Sequence, residues 1–272
     1  MFKAKLNKKS EVALEIYLQQ PAHAVLLKGQ VGVGLDKIAE ELAKQVAGGN
    51  ILKIKPKLHK QQKTENINFD DIVGIKQLLR SKQDKSLAII IFQAEKMTPR
   101  APEALLKLLE EPGENIHFIL TAACADKLPQ TILSRTQIIN ILPIDSKQSN
   151  KMLSDIKNPR HRTQIAFLAE NLPEEIEKLS NDEEYFREKI HHFEVAKDFF
   201  SKDTYERLKV VAKIGSRDEA LALIDSLAKI TLHLSPDKIK PENLEILATA
   251  SDNLAANGNI KAQLTFLALN MV

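Results

Sequence analysis

The sequence has a single cysteine, Cys124, and no tryptophan. One cysteine cannot form an internal disulfide, and it leaves the chain without a cysteine-based zinc site of its own. No run approaches the roughly 18 apolar residues that a membrane-spanning helix requires. The segment 1–18 also lacks the apolar core of a secretory signal peptide. We therefore expect a cytoplasmic protein that holds no zinc and does not enter a membrane.

Charges of the two signs are nearly balanced. The 272 residues include 39 Lys and Arg against 36 Asp and Glu, a formal net charge of +3. So small a surplus allows contact with DNA but does not indicate it. The hydrophobic fraction of 43% is that of an ordinary globular protein. The length suits two or three modest domains.

The first half of the chain alternates between strand-like and helix-like segments. The apolar runs that predict buried strands are residues 23–27, 50–54, 86–92, 116–121 and 137–142. The segments that predict helices are residues 35–46, 69–82, 102–110 and 130–134, and the polar stretch 56–66 predicts a loop. Strands that alternate with helices in this way indicate an α/β domain with a parallel sheet.

The pattern changes after Pro143, where helical periodicity takes over and no strong strand run follows. Residues 145–149, DSKQS, predict a hinge. We therefore predict three domains: an α/β domain at 1–144, a small helical lid at 145–192 and an all-helical domain at 193–272.

A glycine-rich turn follows the first strand and opens a helix, which is the setting of a phosphate-binding P-loop. Its glycines are Gly29, Gly32 and Gly34. In the P-loop pattern, the next two positions are a lysine that reaches the phosphates and a hydroxyl residue that holds Mg²⁺. Here they are Leu35 and Asp36. Because leucine supplies no positive charge and the carboxylate repels a triphosphate, we expect a degenerate loop that binds no ATP.

The strand at 86–92 ends where P-loop ATPases carry two carboxylates, one for Mg²⁺ and one for the attacking water. Those positions are Phe92 and Gln93, and neither side chain can take over the chemistry. Glu95 would serve only in a shifted register, and we expect it to face solvent or cap the next helix. One alternative stays open: Asp36 and Glu95 could hold Mg²⁺ while Lys37 contacts phosphate.

Three segments carry a family pattern. They are IIIFQAEKMTPRAPEALLKLLEEP at 89–112, NIHFILT at 115–121 and LPQTILSRTQ at 128–137. Together they resemble the signature of bacterial clamp-loader subunits, which are AAA+ proteins of DNA polymerase III. The segment 257–264 resembles, more weakly, the last helix of the collar in these proteins. The resemblance implies an AAA+ domain, a helical lid and a helical collar through which subunits assemble.

Within this family the chain is most similar to the delta-prime type, whose relatives have a degraded ATP site and keep the Ser-Arg-Cys segment. The motor subunits need an intact P-loop, and the delta subunit usually lacks that segment. The chain departs from the family in two ways. The four-cysteine zinc module that commonly follows the P-loop helix is missing, and the cysteine of the Ser-Arg-Cys segment is Thr136.

The resemblance implies a role for Ser134, Arg135 and Thr136. In the family, the arginine of this segment is an arginine finger that stabilises charge on the phosphate in a neighbouring subunit. By its position alone, Arg135 could equally be a surface arginine paired with a local carboxylate. One further position fits a silent site: Glu175 stands where active relatives have an arginine that contacts the γ-phosphate. Thr121 falls where a polar sensor-1 residue would sit, and we expect it to be a structural hydroxyl at the strand end.

We therefore expect a non-hydrolysing clamp-loader subunit that donates Arg135 in trans, with ATP and Mg²⁺ only in the neighbouring subunit. The implied partners are gamma/tau-type motor subunits, the delta subunit, the sliding clamp and primed DNA. Two alternatives remain, namely a divergent ATP-binding ATPase and an AAA+-derived adaptor outside replication. The lysines at 53, 55, 57 and 60 predict a solvated loop, and contact with DNA phosphates is the alternative.

Overall fold

A computed structural model describes residues 2–59, 64–79, 85–234 and 240–271. The chain divides into two compact units, Met1–Ser180 and Asn181–Val272. The finer division at residues 144 and 192 stays a prediction. Lys60 and residues 80–82 of the expected helix 69–82 lie outside the described residues.

The first unit is built on a sheet whose described strands all run parallel. These strands are β1 (Ala24–Lys28), β2 (Ile51–Ile54), β3 (Leu87–Ile91), β4 (Ile116–Ala122) and β5 (Gln137–Asn140), in the order β2-β3-β4-β1-β5. The predicted α/β fold with a parallel sheet is therefore confirmed. Strand bounds differ from expectation by one or two residues, because backbone pairing and apolar runs do not end at the same residues.

Helices cover both faces of this sheet. The helices packed on its two faces are α1 (Lys8–Gln19), α2 (Leu35–Ala47), α3 (Phe69–Leu78), α4 (Ala101–Glu110) and α5 (Gln130–Leu133). After β5 the chain continues with α6 (Ser146–Met152), α7 (Pro159–Ala169) and α8 (Pro173–Asn181). Alternate strand residues point to opposite faces. Leu26 and Ile89 belong to the core shared with α3 and α4, whereas Leu27 and Ile90 belong to the core shared with α1 and α2.

Two features of the first unit differ from the sequence-based expectation. Helix α1 was not predicted, although Asn7 caps its first turn and Leu14 and Tyr17 are buried one turn apart. The expected hinge at 145–149 is wrong, since these residues start α6. The Asp145 carboxylate accepts a hydrogen bond from Gln148 N at 2.8 Å, and Asp145 N donates to Gln148 Oε1 at 3.1 Å. This reciprocal pair is a capping box, which begins a helix.

The second unit contains only helices among its described residues, as predicted. They are α9 (Glu183–Ser201), α10 (Thr204–Lys213), α11 (Arg217–Leu232), α12 (Pro241–Ala255) and α13 (Ile260–Asn270). Their apolar faces form one core that includes Phe199, Leu227 and Leu264. In the parts of the chain that the structure describes, every helix is too short or too polar to span a bilayer.

Candidate functional site

The glycine-rich turn lies at the carboxyl edge of the sheet, between β1 and α2. Gly32 and Gly34 have φ of 89° and 91°, a region that glycine enters without steric cost. A Cβ on Gly29 would lie 2.6 Å from the carbonyl oxygen of Ile141, which follows β5. The predicted strand–turn–helix geometry of a P-loop is therefore present. Whether the turn can bind phosphate depends on the charges of the side chains around it.

The start of α8 covers this turn. Glu174 N donates a hydrogen bond to the carbonyl oxygen of Gly32 at 2.9 Å. A Cβ on Gly32 would lie 3.4 Å from the Cβ of Glu175, and Leu172 lies nearly as close. The position expected to replace a phosphate-contacting arginine is therefore next to the loop. A second carboxylate, Glu174, accompanies it there.

Leu35 and Asp36 open α2. Leu35 is partly buried against the core that contains Ile38 and Leu42. Asp36 Oδ1 accepts a hydrogen bond from the Thr121 hydroxyl at 3.4 Å. Burial raises the pKa of the Asp36 carboxyl, and the charge of Glu174 raises it further. This part of the loop thus carries a partly desolvated acid where a nucleotide needs a cation.

The end of β3 carries Phe92 and Gln93, neither of which is a carboxylate. Phe92 is fully buried in the core beneath α2, and Lys55 Nζ lies 4.7 Å from the centre of its ring. Gln93 adopts a left-handed backbone conformation with φ of 50°. Its N–H donates to the Thr121 hydroxyl at 2.9 Å. The Thr121 hydroxyl therefore accepts one hydrogen bond and donates another within the protein, at the position expected for sensor 1.

Of the groups invoked for a rival Mg²⁺ and phosphate site, Lys37 and one oxygen of Glu95 have partners of their own, whereas Glu95 Oε2 is buried without a hydrogen-bond partner among the described residues. Lys37 forms an ion pair with Glu177 of α8, and this hydrogen bond raises the pKa of Lys37. Glu95 Oε1 accepts a hydrogen bond from Ala123 N at 3.0 Å, just after β4. The expectation that Glu95 faces solvent or caps the next helix was therefore wrong. Half-buried, it ties the end of β3 to the end of β4.

These residues do not fit Mg²⁺-ATP. A triphosphate needs positive charge at the loop and carboxylates at the end of β3, but the loop is bordered by Asp36, Glu174 and Glu175, and Phe92 faces the core. The nearest lysines, Lys37 and Lys55, interact with Glu177 and with the Phe92 ring. Nor do the described residues contain a group of three or more His, Cys, Asp or Glu arranged to hold a metal ion.

Arg135 lies at the amino-terminal end of the strands, whereas the glycine-rich turn lies at their carboxyl end. It precedes β5, whose Gln137 pairs with Val25 and whose Asn140 pairs with Lys28 at the other end of β1. At about 3.3 Å per residue, Gln137 is about 13 Å from Ile141, which borders the loop. Arg135 is farther still, so its guanidinium cannot serve the glycine turn of its own chain.

The Arg135 side chain is anchored locally. Its Nη2 lies 2.8 Å from Glu110 Oε1 at the end of α4, and its Nη1 donates to the carbonyl oxygen of Thr131 at 3.2 Å. The side chain is nevertheless 38% exposed. Ser134 Oγ donates to Thr131 O at 3.1 Å. Thr136 is buried, and its hydroxyl donates to Ile132 O at 3.1 Å, so it supports the turn rather than facing outwards.

Three residues that contribute to these sites, Lys55, Glu174 and Glu110, were missed by sequence reasoning. The run of lysines was assigned to a solvated loop, but Lys53 belongs to β2 and pairs with Glu40 at 2.7 Å, and Lys55 lies over Phe92. Glu174 and Glu110 were not singled out. No local motif marks them, since their partners are more than 20 positions away in the chain.

Comparisons with known proteins identify relatives of the chain. A family model described as "DNA polymerase III, delta subunit" matches residues 51–145. DNA polymerase III subunit delta' of Haemophilus influenzae is 27% identical over 190 residues, which cover 63% of this chain and 58% of that protein. The delta' subunit of Bacillus subtilis is 32% identical over 95 residues, 35% of this chain and 29% of that protein.

A motor-type relative and a solved structure also match. DNA polymerase III subunit tau of Escherichia coli is 29% identical over 157 residues, which cover 51% of this chain but 24% of that protein. The chain thus spans less than two thirds of the length of each of these relatives. The crystal structure of a gamma-subunit-related protein from Thermotoga maritima superimposes with a TM-score of 0.58 at 21% identity, covering 96% of this chain and 98% of that one.

Proposed function

We propose that this chain, which is similar to the delta' and tau subunits of DNA polymerase III, is a delta-prime-like AAA+ subunit of the clamp loader that does not hydrolyse ATP. The observation that carries the proposal is the chemistry around the glycine-rich turn, which has Leu35 and Asp36 in place of a lysine and a hydroxyl residue. Glu174 N donates to the Gly32 carbonyl, which brings an acidic residue next to the turn, and Phe92 is buried where a metal-binding carboxylate is required. The subunit needs neither ATP, Mg²⁺ nor zinc of its own.

Arg135 acts in the ATP site of a neighbouring motor subunit. It lies at the far edge of its own sheet and is 38% exposed, which suits a group that works on another chain. A guanidinium is always charged, and its planar fork matches phosphate oxygens. Arginine fingers supplied in trans contribute about 10³–10⁵ in rate. Ser134 and Thr136 hold the turn that presents it.

The partners follow from the relatives. Gamma/tau-type motor subunits and a delta subunit would assemble with this chain, the helices of 193–272 forming its share of the collar. The complex would open a sliding clamp and place it on primed DNA in the cytoplasm. An adaptor outside replication would not co-purify with motor subunits, so co-purification from cells distinguishes the two functions.

A nucleotide titration of the purified chain tests the silent site. Because acids border the loop and no lysine stands at position 35, we expect no Mg²⁺-ATP binding in the micromolar range, measured by calorimetry or with a fluorescent ATP analogue. A motor subunit of the same complex serves as the positive control. Micromolar affinity, or ATP turnover by the chain alone, would instead support a divergent ATPase that uses Asp36 and Glu95.

Replacement of the finger tests the trans role. In a complex reconstituted with motor and delta subunits of the same organism, Arg135→Ala should lower clamp- and DNA-stimulated ATP turnover while the complex still assembles on a gel-filtration column. Arg160→Ala, which removes an exposed arginine from the start of α7, is the matched control. Unchanged turnover in the Arg135→Ala complex would remove the finger from the proposal.

A further inference from the structure

Glu110 is the carboxylate that meets the proposed finger. Its Oε1 lies 2.8 Å from Arg135 Nη2. The other terminal nitrogen, Nη1, donates to Thr131 O at 3.2 Å. A guanidinium carries five N–H donors in a fixed fork, and these two contacts use two of them. Two partners on different nitrogens restrict rotation of the group in a way that one partner would not.

The elements that carry these partners share one core. Glu110 ends α4, where Leu109 is 2% exposed, and Thr131 lies in α5, where Ile132 is fully buried. Leu109 and Ile132 pack in the same apolar cluster. The carboxylate and the carbonyl are therefore held at a constant separation by buried side chains. Since Arg135 is 38% exposed, the rest of its fork can face a neighbouring molecule.

We propose that Glu110 is a positioning residue for Arg135: together with Thr131 O it orients the guanidinium so that its exposed edge meets the phosphates bound by the next subunit. This inference rests on the trans role proposed above. Glu110 itself touches no phosphate. It acts by removing rotational freedom before the subunits meet, which is the entropic part of placing a catalytic group.

The size of the effect follows from the exposure of the pair. The side chains of Arg135 and Glu110 are 38% and 49% exposed, and pairs this exposed contribute about 0.2–1 kcal/mol. At about 1.36 kcal/mol for each factor of ten, loss of orientation should slow the neighbouring ATP site by up to about fivefold. The loss should fall on kcat, because nucleotide is held by the motor subunit.

The test uses the full chain in the reconstituted complex. Glu110→Ala should lower kcat of clamp-stimulated ATP hydrolysis by up to about fivefold, with KM for ATP and assembly unchanged. Glu110→Gln should restore most of the rate, since it keeps an oxygen acceptor of the same reach beside the Arg135 guanidinium. Glu111→Ala, which removes an exposed carboxylate one residue away, should leave kcat unchanged.

Three outcomes would overturn the inference. The first is an unchanged or higher kcat in Glu110→Ala, which would make Glu110 a bystander or a competitor for the finger. The second is a loss that Glu110→Gln does not relieve. The third is an equal loss in Glu111→Ala, which would indicate a general charge effect. Arg135→Ala is measured beside them. If it has no effect, the trans role fails, whereas a fall there with normal Glu110→Ala refutes the positioning role alone.

Discussion

Restoring a carboxylate at the end of β3 should damage the fold instead of rebuilding a metal site. Phe92 is fully buried in the core shared by the sheet, α1 and α2. Truncating a buried phenylalanine costs about 3–5 kcal/mol. Phe92→Asp loses this packing and also brings a carboxylate into the core. In active P-loop ATPases the same position faces a metal ion. The stability of Phe92→Asp therefore shows whether the position lies in an apolar core or in a metal site.

Attraction to Lys55 would offset only part of the cost. With its Nζ 4.7 Å from the ring centre, the Coulomb energy at an effective dielectric of 20 is about 3.5 kcal/mol. Desolvation of a buried carboxylate costs several kcal/mol, which cancels that gain. The net loss therefore stays near the packing figure, about 3–5 kcal/mol, a large share of the 5–15 kcal/mol that stabilises a typical domain.

Hydrogen exchange is the appropriate assay, because the chain has two units that can unfold separately. Amides of β3, followed by mass spectrometry, should exchange about a hundredfold to a few thousandfold faster in Phe92→Asp, since each 1.4 kcal/mol is a factor of ten. Phe92→Leu keeps an apolar filling and should cost about 1–2 kcal/mol. If Phe92→Asp protects β3 as well as the parent does, this account of the site is refuted.

Two further predictions concern a charge at the loop and a cap in the helical unit. Burial raises the pKa of the Asp36 carboxyl above its ordinary 3.8. The folded state then holds this proton more tightly than the unfolded state, so the free energy of unfolding falls as pH rises through the ionisation range. Asp36→Asn should therefore raise the urea midpoint at pH 7, and this gain should vanish towards pH 4. Lys261 Nζ donates to the carbonyl oxygens of Val211, Ala212 and Ile214 at 2.7–2.8 Å. Lys261→Met should lower the stability of the second unit by about 1–3 kcal/mol, seen as faster exchange in α10; unchanged exchange would mean that the cap contributes nothing.

Much of the fold could be predicted because its signals are local. The apolar run 86–92 is short and contains three consecutive isoleucines, which favours a buried strand, and β3 forms there. Helix α1 has the same kind of local signal, an Asn cap and apolar residues one turn apart. The predicted hinge at 145–149 was wrong because Asp and Gln three residues apart form a capping box, and a capping box begins a helix.

The glycine pattern and the strand-end residues together determined, from the sequence alone, that the α/β scaffold of a P-loop protein is present without its lysine, hydroxyl and carboxylates. Those are properties of residue type at fixed spacing, and spacing is visible in a sequence. The tertiary structure alone decided which groups border the glycine-rich turn and which contact Arg135. Glu174 reaches Gly32, Lys55 reaches Phe92 and Glu110 reaches Arg135 because helices and strands remote in the chain pack together, and side-chain reach across such contacts is not encoded in any local pattern.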